Sequence, residues 1–140
     1  MNEKRYNEYI AAFNAACRSS APDFHAFFDA FYEKHAVFEY IPTARKNKGR
    51  EIAEFWEEVH AIMEEQILPH RSFLSQGNKV AVEAAIDFLC KKDLEWVGVS
   101  HKKDDRFRLM MCAFYDITPN DRFEYVRVYS IYHPAYKPGE

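Results

Sequence analysis

The chain has 140 residues and a net charge of −3, with 48% hydrophobic and 16% aromatic residues. That is enough chain for a core without metal or disulfide staples, so residues 1–140 are expected to form one domain. The negative balance argues against a general nucleic-acid surface, and no apolar run nears the roughly 20 residues of a membrane helix.

From Glu3 to Cys17, the residues Tyr6, Tyr9, Ile10, Phe13, Ala16 and Cys17 fall on one helical stripe. Ser19-Ser20-Ala21-Pro22 interrupts it, and Pro22 suits the first turn of a second helix carrying Phe24, Phe27, Phe28 and Phe31. A short strand, Ala36 to Ile41, stops at Pro42. Its parity puts Phe38 and Tyr40 on one face and Glu39 on the other. Arg45 to Arg50 reads as a basic loop, either solvated or holding an anion at the next helix N-terminus. The third helix is expected from Arg50 to Leu68. Ile52, Phe55, Trp56, Val59, Ile62, Met63 and Ile67 form its apolar face, and Glu54, Glu57, Glu58, Glu64 and Glu65 its solvated one.

After Pro69 the period changes to two. His70–Gln76 and Lys79–Leu89 flank Gly77-Asn78, a hairpin turn signal. Lys91 to Asp105 is charged and irregular. Phe107–Ile117 and Phe123–Tyr132 then surround Thr118-Pro119-Asn120-Asp121, which predicts a long hairpin. Both faces of both runs are apolar. Phe107, Leu109, Met111, Ala113 and Tyr115 oppose Met110, Cys112 and Phe114; Phe123, Tyr125, Tyr129 and Ile131 oppose Val126, Val128 and Tyr132. One face must meet the helices and the other a second copy, so a homodimer is expected; the pattern leaves open which face is inside. The element order predicts an α+β cone, three N-terminal helices packed on a strongly curved antiparallel sheet with a cavity between them.

Cys17, Cys90 and Cys112 follow no disulfide or metal pattern, and the opening MNEKRYNEY lacks an apolar h-region. Reduced thiols and a cytoplasmic location are the expectation. The 6 histidines show no HxH or HExxH spacing, so no metal site is expected.

The segments EYIAAFNAA, FHAFFDAFYEKHAVFEYIP, KGREIAEFWEEV, GNKVAVEAAIDF and FYDITPNDRFEYVRVY, in that order, resemble the nuclear transport factor 2-like superfamily. Its members include SnoaL-like polyketide cyclases, ketosteroid isomerases, limonene epoxide hydrolases and scytalone dehydratase. The resemblance implies a conical cavity for a small apolar or aromatic ligand. It also implies, for the enzymes, acid–base chemistry without metal or organic cofactor. The ketosteroid isomerase tyrosine of the first helix matches Tyr9, while that family's two acids fall on Tyr40 and near Cys112. The Arg-Asp-Tyr run of the cyclases and epoxide hydrolases matches Arg127-Val128-Tyr129, with valine in place of the acid. Scytalone dehydratase has a tyrosine late in the first strand and a histidine opening the strand after the third helix, which Tyr40 and His70 fit.

The catalytic candidates so implied are His70 as base with Tyr40 and Tyr9 as donors to an oxyanion. Phe13, Phe38, Trp56, Cys112, Phe114 and Val128 are the candidate ligand contacts. Each has a plainer reading beside it: Tyr9 and Trp56 as core, His70 as an exposed strand start, Cys112 as an inert thiol. Two functions stay open. One is a cofactor-free isomerase, cyclase or dehydratase; the other is a non-catalytic ligand-binding or interaction module that lost the family's acids.

Overall fold

The chain enters its first helix, α1 (Glu3–Arg18), where the Asn2 side chain accepts the Arg5 amide at 2.9 Å. Asp23 starts α2 (Phe24–Phe31) in the same way, accepting from the Ala26 amide at 2.9 Å. The far end of α2 is held by Arg122, whose guanidinium donates to the carbonyls of Asp29 and Tyr32. A cation there offsets the negative end of the helix dipole. These details come from a computed structural model that describes residues 1–136.

The strand after α2 begins directly, β1 (Tyr32–Tyr40), and a short 3-10 turn at Ile41–Thr43 leads into β2 (Arg45–Lys48). The basic stretch is therefore an edge strand, antiparallel to β1, instead of a loop. Gly49 then turns the chain into α3 (Glu51–Ile62) with φ +56. A Cβ at that position would sit 2.9 Å from the Lys34 carbonyl oxygen, so only glycine fits.

α3 ends six residues earlier than its apolar spacing predicts. Met63 is extended at φ −154, and Met63–Ile67 forms β3, paired antiparallel with β5 (Lys79–Cys90). The Gly77-Asn78 turn joins β4 (Ser72–Gln76) to β5 as predicted. The irregular stretch contains a small separate hairpin, β6 (Leu94–Trp96) with β7 (Val99–His101). The long terminal hairpin is β8 (Arg106–Ile117) and β9 (Phe123–Tyr132).

The main sheet runs β2-β1-β9-β8-β5-β3, with β4 also on β5. It is mixed: β9 pairs antiparallel with β8 and parallel with β1, where an all-antiparallel sheet was expected. The three helices cover its concave face, completing the α+β cone. Phe107, Leu109, Met111, Ala113, Tyr115 and Ile117 point inwards, so alternation turns Met110, Cys112 and Phe114 outwards. β9 carries an extra residue between the pairs Ile117–Phe123 and Asp116–Tyr125. That bulge moves Phe123 to the inner face with Val126 and Val128, and leaves Tyr129 and Ile131 outside. Among the described residues no helix is long and apolar enough to cross a membrane.

Candidate active site

The space between helices and sheet narrows to a cavity of about 60 Å³. Tyr9 and Phe13 reach it from α1, and Phe55, Trp56 and Val59 from α3. Phe38 and Tyr40 on β1, Ile86 and Phe88 on β5, Leu109, Met111 and Tyr115 on β8 and Val128 on β9 line the sheet side. All these side chains are buried. Helical spacing on α3 and period two on the strands bring these residues to one surface.

Two groups break the apolar lining. The first is Glu65, in the middle of β3. It pairs across the sheet with Phe88, while its neighbours two residues either side, Met63 and Ile67, pair with Cys90 and Ile86. Cross-strand partners share a face, so the carboxyl shares the inward face with these apolar partners. It is half-buried, lines both the cavity and a charged cleft beside β3, and among the described residues it has no hydrogen-bond or ion-pair partner. Burial alone pushes its pKa up to about 7, because removing water penalises the charged form.

The second polar feature is a set of phenols. The Tyr9 and Tyr32 hydroxyls lie 2.6 Å apart, fully buried. Tyr32 stands behind Tyr9, away from the cavity, so it can donate to Tyr9 and leave the Tyr9 proton for a ligand. Desolvation raises the pKa of Tyr9, Tyr32 and Tyr115 well above the usual phenol value, and that of Tyr40 in the same direction. These phenols stay protonated across the ordinary pH range and act as donors, not bases. Tyr40 Oη lies 3.1 Å from Ser130 Oγ and accepts from Trp96 Nε1 at 3.2 Å.

Trp96 closes the cavity from the β6–β7 hairpin. Its carbonyl accepts from Tyr132 Oη at 2.5 Å, and that hydroxyl in turn lies 2.9 Å from His101 Nε2. Because Tyr132 donates to the Trp96 carbonyl, His101 must carry its proton on Nε2 to complete the chain. His101 also stacks on Phe107, with ring centres 4.2 Å apart.

Of the expected site residues, Tyr9, Tyr40, Phe13, Phe38, Trp56 and Val128 line this one volume. Glu39 turns away, 3.7 Å from Lys46 on the outer side. Three expectations are corrected. Cys112 and Phe114 lie on the convex face, half-buried and exposed respectively, because period two places them opposite Met111 and Tyr115. His70 does not reach the cavity. It precedes β4, its ring packs against Tyr6 and Phe73, and Nε2 meets Glu3 Oε1 at 2.6 Å. The strand that follows the third helix is β3, which opens at Met63, so His70 does not open it.

Sequence reasoning missed Glu65 and Trp96. Nothing local marked either: Ile62, Met63 and Ile67 keep a helical period across Glu65, and Trp96 stands in a short charged stretch. Among the described residues no group of three or more His, Cys, Asp or Glu is placed to share a metal ion.

No protein-family model matches the chain, and no curated protein matches it. Solved structures do. A proposed polyketide cyclase of Pseudomonas putida is 23% identical, covering 89% of this chain and 86% of its own, at a TM-score of 0.71. One from Xanthomonas campestris is 18% identical over 92% of each chain, with a TM-score of 0.69. An epoxide hydrolase of Mycobacterium tuberculosis is 17% identical, covering 89% of this chain and 84% of its own, at 0.61. With the cone, the three helices and the mixed sheet in place, the chain has the nuclear transport factor 2-like fold.

Proposed function

We propose that the chain is a cofactor-independent acid–base catalyst of isomerase, cyclase or dehydratase type. It acts on a small apolar or aromatic carbonyl compound, with Glu65 transferring the proton and Tyr9 and Tyr40 donating hydrogen bonds. The observation that carries this reading is Glu65: an unpaired carboxyl in an aromatic cavity, with its pKa pushed up to about 7. A general base works best when its pKa lies near the working pH, and burial is a common way to bring a carboxyl there. A pocket that only binds an apolar ligand gains nothing from such a group. The solved structures of this fold that are described as polyketide cyclases support the same reaction class.

In the mechanism, ionised Glu65 takes a proton from a C–H next to the substrate carbonyl. The electron pair of that bond moves onto the carbonyl oxygen as an enolate, and a tyrosine hydroxyl donates to the oxyanion. Glu65 then returns the proton: to another carbon, to the alkoxide formed when the enolate closes a ring on a second carbonyl, or to the hydroxyl oxygen that the enolate expels as water. The cavity, at about 60 Å³, holds a few waters, less than the roughly 150 Å³ that admits benzene. Substrate entry therefore requires Trp96 to swing aside. Its departure frees Tyr40 Oη for the substrate. The protein works in the cytoplasm, where its three free cysteines stay reduced, and as a homodimer through the convex face of the sheet.

The test uses cyclohexanone and a β,γ-unsaturated cyclohexenone in D2O, followed by NMR for α-proton exchange and double-bond migration. The wild-type rate is expected to rise with pH through about 7 and then level. Glu65→Gln should lower it by roughly 10²–10⁴-fold, and His70→Ala should leave it within a few-fold. A wild-type rate no greater than buffer with either ketone, or a fully active Glu65→Gln, rejects the reading.

A further inference from the structure

β3 is the last strand on its path and hydrogen-bonds to β5 on one side only. A free strand edge leaves backbone donors and acceptors that water or another strand will take. At Ile67, α1 supplies both partners from a single side chain. Asn14 Nδ2 donates to the Ile67 carbonyl at 2.8 Å, and Asn14 Oδ1 accepts from the Ile67 amide at 2.9 Å. A primary amide carries one donor group and one acceptor side by side, so it reproduces one rung of a β-ladder.

The position of this rung gives it consequence. Asn14 follows Phe13 and lies just over one turn beyond Tyr9, and both line the cavity. Ile67 also lines the cavity, two residues from Glu65 on the same face of β3. The clasp therefore ties the helix carrying the phenol to the strand carrying the carboxyl. We propose that Asn14 is a positioning residue for Glu65: its amide closes the free edge of β3 onto α1, holding the carboxyl in the apolar cavity and barring bulk water along that edge. This inference rests on the reading of Glu65 as the proton-transfer group.

The other titratable groups about Glu65 do not explain its state. Tyr9 and Cys17 face it from α1, His60 from α3, Tyr40 from β1 and Tyr115 from β8, and none forms an ion pair with it. Across the edge, Arg18, Glu64, Asp87 and Arg106 frame a cleft of about 130 Å³ that shares Glu65 and Phe88 with the cavity lining. Asp87 is already paired with Arg108 at 2.6 Å, and burial is the cause of the raised carboxyl pKa, so access of water sets the carboxyl's titration. That cleft is the route by which solvent would enter if the edge came loose.

The test follows the carboxyl carbon of Glu65 by NMR during a pH titration of the wild type, Asn14→Ala and Asn14→Leu. The wild type is expected to titrate at about 7. In both variants the midpoint should fall by at least about one pH unit, towards the ordinary carboxyl range. A purely structural role would lower thermal stability and leave the midpoint in place, and that result overturns the inference. Should the variants not fold, amide hydrogen exchange on the wild type decides. An Ile67 amide as slow as those of β5 supports the clasp, whereas one exchanging like an open strand edge overturns it. A wild-type Glu65 that titrates as an ordinary carboxyl overturns the functional reading and this inference together; a raised midpoint indifferent to Asn14 overturns this inference alone.

Discussion

A carboxyl kept inside an aromatic cavity without a partner works against the stability of the fold, and Glu65 allows the effect to be signed. Its pKa is about 7 in the folded protein against 4.5 for the free group. Below pH 4.5 both states are protonated and the group is neutral to stability. Between the two values the folded state binds the extra proton, so stability falls as pH rises, and above about 7 the loss is complete. Its ceiling is on the order of 3 kcal/mol, reduced by whatever solvent reaches the carboxyl through the cavity. Glu65→Gln should therefore raise the unfolding temperature at pH 8 and change it little at pH 4, as measured by calorimetry at both values. An equal change at both values would mean that packing, not charge, governs the site. Tyr9, in contrast, was legible through the family resemblance of EYIAAFNA; the helical stripe by itself holds Tyr6 and Tyr9 alike. Glu65 was not readable, because Ile62, Met63 and Ile67 continue a 3.6-residue period across it. Only the pairing of β3 with β5, a contact distant in sequence, turns that period into an alternation.

At the scale of elements, the β6–β7 hairpin shows a similar conflict between local preference and tertiary demand. Trp96 pairs with Val99, so the turn consists of Val97 and Gly98, with φ 49 and 77. Positive φ at both centres is the primed turn that suits a tight hairpin, and it favours Asn-Gly. A β-branched residue there is strained by about 1–2 kcal/mol. Val97→Asn should relieve that strain and slow amide exchange in β6 and β7 by at least about fivefold. Unchanged exchange would show that the Tyr132 and Tyr40 hydrogen bonds, not the turn, hold Trp96 down. This hairpin was illegible in the sequence because its strands are three residues each and set in charged surroundings. The long hairpin and the Gly77-Asn78 turn were legible because both are local: strong strand formers on either side of turn chemistry. The bulge that reverses Phe123 is set by register with β8, which no reading of β9 by itself contains.

Across the whole molecule, the convex face is where the second apolar set of the long hairpin comes to rest. Phe114, Tyr129 and Ile131 stay 41%, 44% and 68% exposed there, beside a groove lined by Met110, Cys112 and Pro42. Exposed apolar residues of this kind are the expected seat of the proposed dimer contact. Sedimentation is expected to give a species of twice the 16.6 kDa chain mass, and Ile131→Glu should convert it to the single chain with the fold intact by circular dichroism. A wild type that sediments as one chain at micromolar concentration would exclude the dimer. The parallel pairing of β1 with β9 has a different consequence, one for the order of folding. Tyr40 and Ser130, which meet through it, stand 90 positions apart, and contacts of such separation slow folding because a long loop must close before any of them forms. β9 also lies in the middle of the sheet, between β1 and β8. Until the ribosome has released Phe123 onwards, the nascent chain consists of two half-sheets, each with an unpaired strand facing the missing one. Both halves are open to pairing with other chains during that interval, so this protein's exposure to aggregation is greatest just before β9 becomes available to join them.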